Sequence, residues 1–192
     1  MEAVGRLTAE AGLETGKRIV LLNANASDLL PLRRWNESNY VELARRVLAR
    51  FPESQIAFTG APNEAARIDQ FCREVDSPRC VSLAGRTTLR QLLVVYELAD
   101  ILVTNDSGPA HFATLTGIDC VSLFGPETPR LYAGLGPRQH PIWAQLACSP
   151  CVNAFNNRET SCRDNKCMQA ITVDTVFAKV VEVYLNRSTP KS

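Results

Sequence analysis

The sequence predicts an α/β fold, a Rossmann-like doubly wound parallel sheet. Two observations carry this. Short β-favouring apolar runs alternate with amphipathic helical segments almost from end to end. The chain's 192 residues, 45% of them hydrophobic, suffice for one sizeable core and fall short of two typical domains. A third observation is where the polar residues fall: those with useful chemistry gather just after apolar runs, the edge at which open α/β sheets bind ligands.

Ile19-Val20-Leu21-Leu22 reads as the first buried strand. After it, Tyr40, Leu43, Ala44, Val47 and Leu48 recur at helical spacing while Glu42, Arg45, Arg46 and Arg50 take the opposite face, the pattern of a crossover helix. Gln55 to Gly60 gives a second strand, and Glu64 to Val75 a second helix with Ala65, Ile68, Phe71 and Cys72 on one side. Cys80 to Gly85 supplies a third strand. Leu89, Leu92, Leu93 and Tyr96 mark a helix from Thr88 to Leu98, with Thr87 or Thr88 as its N-cap. Asp100 to Thr104 follows as a fourth strand, then a short helix from Pro109 to Thr116 ended by Gly117, then Cys120 to Phe124 as a fifth strand. Prolines and glycines from Pro126 to Pro150 mark a looped stretch, with Ile142 to Ala147 as a sixth short strand, and a helix from Val173 to Leu185 closes the chain. Residues 1–18 read either as a short opening helix or as a connector from a preceding domain, and 19–192 as one domain with a cysteine-rich loop at 148–167.

Lys plus Arg total 21 against 20 Asp plus Glu, a formal charge of +1, so there is no basic field to hold nucleic acid without sequence preference. No run approaches the apolar length of a membrane span, and Met1 to Arg6 lack the layout of a signal peptide. The expectation is a soluble, cytoplasmic protein. In that setting seven cysteines suggest thiols or a metal site before a disulfide framework.

The richest strand edge is Thr104-Asn105-Asp106-Ser107-Gly108-Pro109-Ala110-His111. A buried strand ends there in a carboxylate and a hydroxyl, then turns through glycine into a helix with proline in its first turn. Free N–H groups and the helix dipole at such a start favour a phosphate or diphosphate. His111 adds a donor and Asp106 accepts from a sugar hydroxyl; the alternative is that Asp106 or Ser107 only caps the helix and His111 is an ordinary exposed side chain. At the first edge, Asn23-Ala24-Asn25-Ala26-Ser27 is followed by Arg33-Arg34-Trp35, which suits a loop that wraps phosphates. The alternative there is a solvated arginine pair with Trp35 anchoring the loop. Glu64, after the second strand, offers a ribose hydroxyl an acceptor, although acids are common in first helical turns. Neither a Walker loop nor G-x-G-x-x-G after a strand is present.

Asp106-Ser107-Gly108-Pro109-x-His111-x-Ala113, followed by Val121-Ser122-Leu123-Phe124-Gly125-Pro126-Glu127-Thr128-Pro129, resembles the signature of glycosyltransferase family 9, the ADP-heptose:lipopolysaccharide heptosyltransferases. Asn23 to Ser27 with Arg33-Arg34-Trp35, and Leu83 to Leu89, are similar to the family's other landmarks in order and spacing. The resemblance implies a two-domain GT-B enzyme of lipopolysaccharide or envelope-glycan synthesis, of which this chain is the C-terminal, donor-binding half. It implies a nucleotide-sugar donor such as ADP-heptose and a glycan or lipid-linked acceptor, with peripheral association of the full-length protein at the inner membrane face. Inverting transfer would need no cofactor, and the general base would belong to the other half, so no catalytic residue is named in this chain and the chain alone would be inactive. The donor-binding set is then Asn25, Ser27, Arg33, Glu64, Thr87, Asp106, Ser107, Gly108, Pro109 and His111. Arg33 falls where the family places a lysine against the diphosphate, and Thr87 falls beside the nucleobase. Ala26, by contrast, cannot donate a side-chain hydrogen bond, and the ribose-binding acid aligns nearer Pro62 than Glu64.

Cys148-x2-Cys151-x10-Cys162-x4-Cys167 places two close thiol pairs around a polar loop, which suits a structural zinc; a disulfide or independent thiols are the alternatives. Cys72, Cys80 and Cys120 fall in predicted helix and strands and suit core packing. Two other functions remain open on the residues: a free-standing nucleotide or phosphate binder without transfer activity, and an interaction module built on the cysteine loop.

Overall fold

The computed structural model describes residues 2–14, 16–26 and 30–187. Its strands are β1 Arg18–Asn23, β2 Ser54–Phe58, β3 Cys80–Ser82, β4 Ile101–Asn105, β5 Asp119–Phe124 and β6 Gln139–Trp143. Its helices are α1 Glu2–Glu10, α2 Glu37–Arg50, α3 Ala65–Val75, α4 Leu89–Leu98, α5 Gly108–Ala113, α6 Pro129–Tyr132, α7 Lys166–Gln169 and α8 Val173–Asn186. All strand pairings are parallel, in the order β3-β2-β1-β4-β5-β6. This is the doubly wound arrangement expected, with its reversal of strand order between β1 and β4.

Alternation along each strand sorts the core into two layers. Val20, Leu22, Ile56, Phe58, Ile101 and Val103 pack with α2, α3 and α8 on one face, while Ile19, Leu21, Ala57 and Leu102 meet Val95, Tyr96 and Ala113 of α4 and α5 on the other. The residues assigned to the apolar face of the first crossover helix, Tyr40, Leu43, Ala44, Val47 and Leu48, are all buried on α2. Caps fix three helix starts: the side chains of Asn36, Thr88 and Thr172 accept from Ser38, Gln91 and Thr175 N–H groups. Among the described residues no helix is long and apolar enough to cross a membrane.

Several elements differ from expectation, β3 among them, which ends at Ser82 rather than Gly85. The helix after β4 stops at Ala113, short of Thr116, because the Thr114 and Thr116 hydroxyls donate to the carbonyls of His111 and Ala113 at 2.7 and 3.0 Å and tighten the turn. The sixth strand lies three residues earlier than the apolar run Ile142 to Ala147, since pairing with β5 places Pro141 opposite Ser122 on an edge strand, where a missing N–H is tolerated. Finally, α6 and α7 are four residues each, below the length at which periodicity shows.

Candidate functional site

A cavity of about 500 Å³ opens at the carboxyl edge of the sheet, beside the strand-order reversal. Asn23, Asn25 and Ala26 at the end of β1, Gly60 to Glu64 after β2, Thr87, Thr88, Leu89 and Leu92 at the start of α4, and Ser107 to Pro109 at the start of α5 line it. Each segment is the loop after a strand or the helix start that follows it, so the parallel topology alone brings them together.

Backbone and amide chemistry holds this edge open. Asn23 donates to Thr59 O and Oγ1 at 3.2 and 3.1 Å, tying the end of β1 to the end of β2, and its Oδ1 accepts from Asn25 N. Asn105 does the same between β1 and β4: its Nδ2 donates to Ala24 O and Asn25 O at 3.1 and 3.3 Å, and its Oδ1 accepts from Trp35 N at 3.0 Å. Trp35 is 1% exposed and its indole N–H reaches Ile171 O at 2.7 Å, so the arginine loop is anchored from two sides. Gly60 sits where a Cβ would lie 3.0 Å from Asn25 Nδ2 and 3.1 Å from Glu64 Oε2, so side chains are excluded at the pocket wall.

Asn25, Glu64, Thr87, Ser107, Gly108 and Pro109 of the expected donor set line this one cavity. Asn25 accepts from Arg67 through Oδ1, while its buried Nδ2 has no partner among the described residues and is a donor left for a ligand. The Glu64 carboxylate accepts from Ala61 N at 2.6 Å and lies 3.8 Å from Arg67, so it braces its own turn as well as lining the wall. Thr87 lies beside Thr88, whose hydroxyl caps α4. His111 is exposed and is not among the lining residues, which is the ordinary-surface alternative, and Ser27 lies outside the described residues.

Arg33 and Asp106 are not among the lining residues. Arg33 is largely buried, not a solvated side chain; its Nη1 is 3.3 Å from Glu127 Oε2 and 4.0 Å from Asp106 Oδ2. Glu127, 1% exposed at the turn after β5, also lies 3.5 Å from Arg158 Nε. Burial, then a hydrogen bond to Glu127 and the charge of that carboxylate, push the Asp106 carboxyl up to about 8, with Arg33 and Arg158 opposing. Two acids and two arginines thus form a half-satisfied cluster. Sequence reasoning missed Glu127 and Asn105, although both sit at strand ends, the one position that marks them out.

The four late cysteines are not drawn together into one metal-holding cluster: among the described residues no three His, Cys, Asp or Glu side chains are placed to hold a metal ion. Cys167 turns into the core on α7 beside Met168, Cys162 donates to Asp164 O at 3.2 Å, and Cys148 is exposed. The core claims one ligand and the loop turn another. The Cys167 thiol is raised chiefly by burial, with Cys151 and Cys148 adding to it.

The family model for glycosyltransferase family 9 (heptosyltransferase) matches residues 3–161. Lipooligosaccharide heptosyltransferase 2 of Campylobacter jejuni is 27% identical over 188 residues, which cover 93% of this chain and 54% of that protein. The structure of E. coli ADP-heptose LPS heptosyltransferase II shares the fold with a TM-score of 0.78 at 19% identity, over 98% of this chain and 53% of that one. E. coli heptosyltransferase WaaC, solved with ADP, matches with a TM-score of 0.66 at 20% identity, over 94% and 48%. The chain therefore spans about half the length of these relatives.

Proposed function

Because the chain belongs to glycosyltransferase family 9, we propose that it is the donor-binding half of an inverting glycosyltransferase of lipopolysaccharide or envelope-glycan synthesis, taking a nucleotide sugar of the ADP-heptose kind. The observation that carries this is the single cavity in which Asn25, Gly60 to Glu64, Thr87 to Leu89 with Leu92, and Ser107 to Pro109 meet. It is large enough for a nucleotide and lies at the sheet edge where such ligands bind.

The wall from Thr87 to Leu92 offers an apolar surface and a hydroxyl for a base, and Glu64 lies where a ribose would follow. The free amide of Asn25 and the turn at Ser107-Gly108 face the diphosphate. Arg33, reached past Asp106, supplies the charge that offsets what develops on the departing diphosphate, through a rigid guanidinium fork. That stabilisation grows as the glycosidic bond breaks, so it favours the transition state over the bound donor. Support comes also from the relatives, which are heptosyltransferases, one of them solved with ADP. The acceptor, a glycan or lipid-linked sugar, and the base that deprotonates it belong to the other half of the family's architecture.

Replacing Arg33 by alanine tests the assignment. R33A is expected to weaken ADP binding by about 1.5–3 kcal/mol, the worth of a charge-assisted hydrogen bond, while leaving adenosine binding nearly unchanged. Equal losses for ADP and adenosine in calorimetric titrations would overturn the placement of the diphosphate.

A further inference from the structure

Among the described residues, Glu127 is the buried acid beside Asp106 that the donor-site reading leaves without a task. It is 1% exposed, and its Oε2 takes the Arg33 Nη1 at 3.3 Å. The cluster around it is under-satisfied in a particular way. Arg33 Nε, Asp106 Oδ2 and Glu127 Oε1 are all buried without a hydrogen-bond partner among the described residues. Buried ion pairs that serve only stability normally have their remaining donors and acceptors filled. Here an arginine donor is left over on one side and two carboxylate oxygens crowd together on the other.

On the donor-site reading above, we infer that Glu127 is an internal stand-in for the diphosphate, holding Arg33 until a diphosphate displaces it, and that this exchange is accompanied by a proton taken from solvent onto Asp106 beside it. The charges facing the pair come from every element packed on it. Arg33 precedes α2, Arg158 belongs to the cysteine-rich loop, Asp106 follows β4, and Glu127 follows β5. When Arg33 turns to the diphosphate, Asp106 loses a cation that opposes its protonation and gains an anion close by, and both changes favour its neutral form. A single proton between the two carboxyl groups then also satisfies Asp106 Oδ2 and Glu127 Oε1. Anion binding and proton uptake are in this way one event.

The sign follows from the Asp106 carboxyl, which is raised to about 8. At pH 7 the pair already holds its proton, and little uptake accompanies binding. At pH 8.5 it has largely lost it, so the proton must return and ADP binds more weakly. ADP itself titrates near pH 6, below this window.

Calorimetric titration of the chain with ADP at pH 7 and pH 8.5, in buffers of different ionisation heat, counts the protons. Wild type is expected to take up little at pH 7 and to approach about one proton per ADP at pH 8.5, with affinity falling between them. E127Q, which keeps the shape and removes the competing charge, is expected to bind ADP several-fold more tightly at pH 8.5 and to lose most of the uptake. E127A, checked by circular dichroism, serves if the amide disturbs folding, and the wild-type proton count stands without either variant. ADP binding with equal affinity and no uptake at both pH values would overturn the inference and leave the donor site intact. Failure of ADP to bind wild type and E127Q alike would overturn both.

Discussion

Asp106, just past the end of β4, has 4% of its surface exposed, and burial pushes its carboxyl up to about 8. An acid raised this far above its unfolded value contributes its stability in full below about pH 4 and loses it as pH rises through about 8. The folded protein is therefore expected to weaken relative to D106N, which stays neutral throughout, as pH rises across this window. Urea unfolding midpoints of the two proteins at pH 5, 6.5 and 8 check this, and parallel profiles would contradict it. Residues of this kind differ in how far sequence exposes them. Asn25, Thr87 and Ser107 to Pro109 stand out in the sequence because they fall at the ends of apolar runs, and all of them line the one cavity. Arg33 is legible as a phosphate ligand by its chemistry, but its burial is not. Glu127 and Asn105 acquire their partners only when β4 lies between β1 and β5, and no local pattern encodes that neighbourhood.

Strands β1, β2, β4 and β5 can be read almost to the residue because both faces of each are covered, which demands unbroken apolar runs. β6 is a half-exposed edge strand containing Pro141, so its apolar signal is weak and the run Ile142 to Ala147 displaces the expected position. α8 is legible in sequence from its periodicity, but what fastens it to the sheet is not. Arg187, just past its end, donates to Asp119 Oδ2 at 2.6 Å, to Asp100 O at 2.6 Å and to Gly117 O at 2.8 Å, and lies 3.4 Å from Asp100 Oδ1. Asp100 is 1% exposed and shares Arg18 with this cluster at 3.5 Å. Removing Arg187 takes away the cation that bridges Asp100 and Asp119 and leaves each to its outer cation, Arg18 or Arg138, so R187A is expected to cost about 3 kcal/mol. The loss should be smaller for R187K, which keeps the charge without the fork. Chemical unfolding measures both, and an R187A protein as stable as wild type would show that the cluster does not hold α8.

At the scale of the molecule, one topological fact organises the rest. A parallel sheet whose strand order reverses between β1 and β4 leaves a crevice at their carboxyl ends, and here the four segments lining the cavity come from the ends of β1 and β2, the approach to α4 and the turn after β4. The fold class is legible from alternation alone, whereas the proposed donor role rests on family membership and on the cavity at the sheet edge. The central claim is that this crevice is the nucleotide-diphosphate site. A crystal structure of the chain with ADP tests it most directly. The account predicts the diphosphate against Ser107 to Pro109 with Arg33 turned towards it, and adenine along Thr87 to Leu92. ADP bound away from this crevice, or a crevice without ADP at saturating concentration, would contradict it.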